Sequence, residues 1–192
     1  TITFDGTWKE QGFLRFFSND FLQQGHRLDV ISDETVSLLW KPLSSSHHSV
    51  DAASWNWRVK ESVDPTNLTE KGGDDRNLAI YFVFVDEDRA SRLTTRNARR
   101  ILREDSARAL IYVWGGEHKE GEILPNPYSP QLRTKVLRVA GVGEYSENVD
   151  LLNDFRRAFN AEPGVLVGLA VSADSDDTNG YIFASIENLR LN

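Results

Sequence analysis

The sequence predicts an all-β sandwich with one or two peripheral helices, and two observations favour this fold class. Short runs rich in valine, isoleucine and aromatic residues recur along the chain, and clusters of glycine, proline, aspartate and asparagine separate them. Seven or eight such runs are typical of a sandwich. The length of 192 residues suits a single core. We therefore expect residues 1–192 to form one domain.

Seven segments have the composition of strands. They are residues 36–40, 54–59, 78–86, 109–114, 132–139, 165–172 and 181–188. The run LAIYFVFV, which begins at Leu78, is apolar at both its odd and its even positions, so we expect both faces of this strand to be covered. In SWNWRV, apolar and polar residues alternate, which places Trp55, Trp57 and Val59 on one face of a strand.

Two segments have helical patterns instead. Residues 148–160 repeat apolar side chains at a spacing of three to four, and Asn148 is a plausible N-cap. Residues 93–105 are rich in arginine and have few apolar side chains, so we expect a helix on the surface.

The composition excludes several classes of function. Asp and Glu outnumber Lys and Arg by 29 to 22, and the net charge of -7 argues against nucleic-acid binding. No cysteine is present for a disulfide or a thiolate metal site, and no apolar run is long enough to insert into a membrane. The chain begins at Thr1 and contains no methionine, so we expect a processed or trimmed start.

The segment SADSDDTNGYIF, residues 172–183, contains three aspartates in four positions. On an extended chain, Asp174 and Asp176 point to one side and Asp177 to the other. Calcium binds six to eight oxygens, and this segment lacks the glycine and the glutamate that an EF-hand loop needs. A calcium site here would be irregular and would need ligands from elsewhere.

The dipeptide Asn179-Gly180 follows these aspartates directly and is typical of a two-residue type I′ turn. We therefore expect a hairpin in which Thr178 pairs with Tyr181. Such a hairpin would hold the aspartates at the end of a strand.

A second acidic segment, GGDD, lies just before the run LAIYFVFV and supplies Asp74 and Asp75. If this loop lies near Asp174 and Asp176, the carboxylates can hold a cation, with calcium as the candidate. They can equally serve as the acid and base of a glycan-cleaving enzyme. Solvated turns are the alternative for both segments, since aspartate is favoured there by its bonds to the backbone.

Tryptophans provide a second set of candidate ligand-binding residues. Trp57 and Trp114 would be platforms for sugar rings if they were exposed, although tryptophans in apolar strands usually belong to the core. Gly115-Gly116 ends the strand of Trp114 and opens a long loop that contains Glu117 and His118. Loops of this kind often carry function, so both residues are candidates for ligand binding.

Six motifs in a fixed order resemble a bacterial family, the domain-of-unknown-function family 3047. They are SWNWRV, the K-x-G-D-D loop, ALIYVWG, LPNPYSP, DLLNDFRRAFNAEP and DSDDTNG, and the resemblance covers residues 30–192. It implies a jelly-roll sandwich similar to galactose-binding-like and carbohydrate-binding modules, in an exported protein that is periplasmic or secreted. The arginine-rich segment departs from the family, and the family has no established activity.

Three functions remain open at this point. The first is non-catalytic binding of a carbohydrate or cell-envelope glycan, with calcium as a possible aid. The second is cleavage of a glycan, as a hydrolase or lyase, by the paired aspartates. The third is a protein-interaction domain of an envelope complex that uses the arginine-rich segment or the proline-rich loop. The ligand, the metal and the oligomeric state are not given by the sequence.

Overall fold

The computed structural model describes residues 1–12, 18–93 and 98–192, and about half of this part of the chain forms β-strands. The strands in chain order are β1 (Lys9–Gly12), β2 (Asp20–Gln24), β3 (Arg27–Asp33), β4 (Val36–Pro42), β5 (Ala52–Glu61), β6 (Arg76–Val85), β7 (Arg108–Trp114), β8 (Ile123–Pro125), β9 (Leu132–Arg138), β10 (Gly143–Asp150), β11 (Val165–Asp174) and β12 (Tyr181–Leu191). The helices are a 3-10 helix (Ser45–His47), α1 (Glu87–Ala90), α2 (Ala98–Ile101) and α3 (Leu151–Phe159).

The strands form two sheets, which confirms the predicted sandwich. The larger sheet has the order β1-β4-β11-β6-β7-β9-β8, and the smaller sheet has the order β10-β5-β12-β3-β2. Neighbouring strands are antiparallel except for β7 and β9, which are parallel. Each of the seven strands expected from the sequence is present, as β4, β5, β6, β7, β9, β11 and β12.

Five described strands were not predicted, and four of them lie at the edges of the sheets. The four edge strands are β1, β8, β10 and β2. Edge strands need little apolar surface, and β10 is mostly exposed and polar, so its sequence does not look like a strand. The fifth, β3, alternates buried and half-buried residues and could have been recognised by that pattern.

The main core lies between the two sheets and is rich in aromatic side chains. On β5 the predicted alternation is confirmed, since Trp55, Trp57 and Val59 are all buried in this core. The ring of Trp55 contacts those of Phe82 and Tyr112 on the larger sheet, with centroids 6.2 and 5.7 Å apart. These contacts join the two layers.

A second apolar cluster covers the opposite face of the larger sheet, which we call the outer face. On β6, Tyr81 and Val83 point to this face, while Ile80 and Phe82 point into the main core. The expectation that the central apolar strand is covered on both faces is thereby confirmed.

Helix α3 lies beside the sheets as expected, but it begins later than the predicted residue 148. Asn148 and Val149 belong to strand β10, and the N-cap is Asp150, whose side chain accepts a hydrogen bond from the backbone N–H of Asn153. Aspartate caps a helix as well as asparagine does, so the sequence alone did not distinguish the two positions.

The arginine-rich segment forms less helix than predicted. Within residues 93–105, the described helix is α2, which contains four residues, and residues 94–97 lie outside the described part of the chain. Ala98 and Ile101 are buried against the outer face, so α2 helps to cover the larger sheet.

The predicted hairpin at Asn179-Gly180 is wrong. Strand β11 pairs with β4 and β6 in the larger sheet, whereas β12 pairs with β3 and β5 in the smaller sheet. Residues 175–180 therefore connect the two layers, and we call them the inter-sheet connection. Asn179 does adopt a left-handed conformation, with φ of 49°, but within this connection rather than within a hairpin turn.

Gly168 provides a test of how the outer face is packed. A Cβ atom at this position would lie 1.8 Å from the buried indole ring of Trp40. We expect Gly168→Ala to lower the free energy of unfolding by about 1–3 kcal/mol, since neither the strand nor the ring can move freely. Urea denaturation of the variant measures the loss, and an unchanged midpoint and slope would contradict this description of the packing.

Candidate functional site

Two acidic segments meet at one end of the larger sheet. Strands β6 and β11 are antiparallel neighbours, and Asp174 at the end of β11 is in register with Arg76 at the start of β6. Residues that precede β6 must therefore lie beside residues that follow β11. This pairing brings Asp75 next to Asp176 and Asp177, so the two acidic segments lie close together.

Asp75 is fully buried and holds the inter-sheet connection in place. Its carboxylate accepts hydrogen bonds from the backbone N–H groups of Asp177, at 3.2 Å, and Thr178, at 2.7 Å. It also accepts one from the Thr178 hydroxyl at 2.5 Å. A buried carboxylate is stable when several donors reach it, so Asp75 and the connection depend on each other.

Four carboxylates form the cluster that results, and we call it the acidic cluster. One oxygen from each of Asp75, Asp174, Asp176 and Asp177 lies within 4.8 Å of the others. Asp177 was expected to point away, but residues 176–179 form a turn rather than an extended strand, which redirects its side chain. Asp74 is not part of this group, and its carboxylate accepts a hydrogen bond from the Tyr128 hydroxyl at 3.2 Å.

Burial changes the protonation of two members of the acidic cluster. Asp174 is 5% exposed, and this burial, with smaller contributions from Asp176 and Asp75, raises its pKa to about 10 against the opposing charge of Arg76. Desolvation and the neighbouring carboxylates also raise the pKa of Asp177, to about 6. Near neutral pH, the cation-free cluster therefore holds at least one proton.

Arg76 lies between the acidic cluster and the outer face. Its guanidinium donates hydrogen bonds to the Asp74 carbonyl oxygen at 3.0 Å, to the Ser172 hydroxyl at 3.4 Å, and to the Tyr81 hydroxyl. Burial opposes its charged form, but Tyr81 and the nearby aspartates raise the pKa of Arg76 above its usual value. A permanent positive charge thus borders the cluster.

A cavity of about 500 Å³ lies on the outer face and ends at the acidic cluster. Its floor contains Trp40, Tyr81, Val83 and Ala170 from the three central strands β4, β6 and β11. The remaining lining residues include Ala98 and Leu102 near α2, Asn126 and Tyr128 from the proline-rich loop, and Arg76, Asp74, Asp174, Asp176 and Asp177. The cavity therefore combines an apolar floor with polar groups at one end.

The two candidate tryptophans lie in the main core and not at this cavity. Trp57 and Trp114 are each 1% exposed, and their rings pack edge to face with centroids 5.5 Å apart. The Trp57 indole N–H donates to the Glu147 carboxylate at 3.0 Å. Because neither ring has an open face, the expectation of an exposed sugar platform at these two positions is corrected.

Glu117 and His118 line a different cavity, of about 650 Å³, formed by the loop that follows β7. His118 is held in place because its Nε2 accepts a hydrogen bond from the backbone N–H of Leu68 at 3.1 Å. The structure thus brings together three of the four predicted aspartates, Asp75, Asp174 and Asp176, and places the predicted loop residues elsewhere. Three residues near this site were not predicted, namely Arg76, Tyr81 and Tyr128. Tyr81 could have been recognised, because side chains alternate between the two faces along β6.

Within the described residues, no helix is both long and apolar enough to cross a membrane.

The family model for a protein of unknown function, DUF3047, matches residues 6–190, so the chain belongs to this family. A comparison with curated proteins gives no match. The xyloglucanase domain of NopAA, a type three effector from Sinorhizobium fredii solved in complex with cellobiose, is similar in structure with a TM-score of 0.52. The identity is 9%, over 96% of this chain and 92% of that domain. At this identity the likeness shows the fold alone.

Two xylanases are less similar. An endo-1,4-β-xylanase from Trichoderma reesei has a TM-score of 0.43 and 11% identity, over 93% of this chain and 96% of its own. A loop-swap mutant of Xyn11A from Neocallimastix patriciarum has a TM-score of 0.43 and 10% identity, over 89% of this chain and 84% of its own.

The protonated state of Asp174 predicts a pH-dependent effect of Asp174→Asn on stability. The unfolded carboxyl releases its proton above about pH 4, whereas the folded one retains it to about pH 10. The contribution of Asp174 to stability is therefore fully present below about pH 4 and is lost as the pH rises through this window. Asparagine cannot ionise, so the variant should melt at least ~3 °C above the wild type at pH 8.

Melting temperatures in a chelator at several pH values from 4 to 8 measure this effect. The advantage of Asp174→Asn should shrink toward pH 4. A variant that is less stable at pH 8, or a difference that does not change with pH, would contradict the assignment of a neutral, buried Asp174.

Proposed function

We propose that this member of a family of unknown function binds a carbohydrate in the cavity on the outer face and does not cleave it. The observation that carries the proposal is the cavity itself, whose volume of about 500 Å³ is within the range of small-ligand sites. The periplasmic or secreted location implied by the family resemblance is part of this proposal.

The lining of the cavity matches the two kinds of surface that a sugar presents. Sugar rings have apolar C–H faces, which pack on aromatic side chains, and hydroxyl groups, which need hydrogen-bond partners. Tyr128 is 57% exposed and lines the cavity, so its ring is the most accessible stacking surface there. Asp176 and Arg76 at the polar end provide an acceptor and a donor for hydroxyl groups.

The placement of the carboxylates favours binding over cleavage. Glycosidases place two carboxyl groups on either side of the scissile bond, about 5–9.5 Å apart. Among the described lining residues, the acidic side chains are Asp74, Asp174, Asp176 and Asp177. They gather at one end of the cavity, and the central floor contains apolar and aromatic residues. Carboxylates grouped at one end favour a binding site over a pair placed on either side of a sugar bond.

The solved xyloglucanase domain with bound cellobiose supports the choice of first ligands. That domain has a similar fold, so its ligand class is the natural starting point for a search. Cello-oligosaccharides and xyloglucan fragments are therefore the first probes, followed by cell-envelope glycans. In the calcium-assisted form of this function, a bound cation would offer further coordination positions to sugar hydroxyls.

The first test compares two exposed tyrosines. We expect Tyr128→Ala to weaken binding of the best oligosaccharide about tenfold, or ~1.4 kcal/mol, because the stacking ring is removed. Tyr181 is 44% exposed and does not line the cavity, so Tyr181→Ala is a matched control that should bind like the wild type. Isothermal titration calorimetry measures both affinities. Equal loss in both variants, or none in either, would contradict the placement of the site.

The second test fills the cavity. Ala170 is on its floor, and Ala170→Leu would place three additional carbon atoms in the space proposed for the sugar. Binding should be lost while the protein stays folded, as judged by its melting curve. Release of reducing sugar from a polysaccharide by the wild type, abolished in Asp174→Asn, would replace this proposal with the glycan-cleaving alternative.

A further inference from the structure

The acidic cluster has the size of a coordination sphere for one cation. Calcium binds oxygens at about 2.3–2.6 Å, so two oxygens on one ion at ~2.4 Å can lie at most about 4.8 Å apart. The oxygens of Asp75, Asp174, Asp176 and Asp177 lie within 4.8 Å of one another. The pairwise spacing of the four oxygens is therefore compatible with ligands around one ion.

An independent observation points to a missing partner within this cluster. Asp174 is more than nine-tenths buried, and its Oδ1 atom accepts no hydrogen bond from any described residue. Buried carboxylate oxygens are normally paired, and leaving one unpaired costs free energy. One oxygen of this carboxylate lies within 4.8 Å of an oxygen of each other member of the cluster. A cation bound by the Asp174 carboxylate would provide the partner that it lacks.

We propose that Asp75, Asp174, Asp176 and Asp177 bind one divalent cation, with calcium preferred. The ligands of the cluster are all carboxylate oxygens, and no histidine of the described chain belongs to it. Such a donor set suits hard cations and disfavours zinc or copper. Magnesium demands near-ideal octahedral geometry and usually keeps several waters, so a site of four protein carboxylates suits it less well than calcium.

The surroundings of the cluster are preorganised for this role. The bonds of Asp75 to the backbone of Asp177 and Thr178 hold two of the ligands in position before any ion arrives. The positive charge of Arg76 offsets part of the negative charge of the cluster, which reduces the repulsion between the carboxylates when no cation is bound. A bound cation would also link Asp75, which precedes β6, to the end of β11 and to the inter-sheet connection. It should therefore stabilise the sandwich.

The position of the site links it to the cavity. Asp174, Asp176 and Asp177 belong to the acidic cluster and also line the cavity. A cation held by them would lie in the cavity wall and could coordinate ligand hydroxyls. This last step rests on the proposed carbohydrate function, whereas cation binding does not.

The test is a calcium titration of protein first treated with a chelator. Calorimetry with calcium chloride should give one site per chain, and the melting temperature should rise by at least ~3 °C at saturation. In Asp174→Asn both effects should be lost, and this variant should fold because it removes a buried ionisable group. Asp176→Asn is a second variant at an exposed position, where failure to fold is not expected, and its affinity should fall at least tenfold.

Asp88→Asn is the matched control, since Asp88 is exposed and belongs to another acidic run, residues 86–88. It should keep the full calcium response. An absent response in the wild type, or an equal response in Asp174→Asn, would overturn the proposed site. A magnesium response as large as that of calcium at equal concentration would overturn the calcium preference.

Sugar binding measured in the chelator separates the two proposals. Glycan binding without any calcium response would overturn the cation site and leave the carbohydrate proposal standing. A calcium response that is lost in Asp174→Asn, without binding of any glycan, would support the cation site and count against the carbohydrate proposal.

Discussion

The buried carboxylate of Asp75 is the contact on which the candidate site depends. It accepts hydrogen bonds from the backbone of Asp177 and Thr178, and it lies where the chain passes from the larger to the smaller sheet. Without these bonds, the buried carboxylate of Asp75 would lose these hydrogen-bond donors. The same contact positions the carboxylate of Asp177 beside that of Asp174. One interaction thus determines both the crossing between the layers and the shape of the acidic cluster.

The larger sheet has apolar side chains on both faces, and this property creates the cavity. Its inner face packs on the smaller sheet, while α2 and the proline-rich loop lie over its outer face. A sheet that is buried on both sides needs a continuous apolar strand at its centre, which β6 supplies. The described residues leave a cavity of about 500 Å³ on the outer face, with Trp40 and Tyr128 in its lining, and this is the space that a ligand can enter.

Sequence patterns predicted the central strands well because burial imposes a strong alternation or a continuous apolar run. They failed at the edge strands, where water can satisfy the backbone and exposed residues such as those of β10 are allowed. They also failed at Asn179-Gly180, since a turn dipeptide reports local backbone geometry and not which sheet the next strand joins. The carboxylates were recognised individually, but their meeting depends on the pairing of β6 with β11, which is a long-range property.

The acidic cluster also shows how a binding site can cost stability. A buried Asp174, whose pKa is raised to about 10 chiefly by desolvation, is compatible with folding only while it keeps its proton. Residues that destabilise the fold locally are expected at functional sites, because binding of a ligand can offset the free energy that folding loses there. By this reasoning we propose the end of β11, rather than the tryptophan-rich core, as the functional part of the molecule.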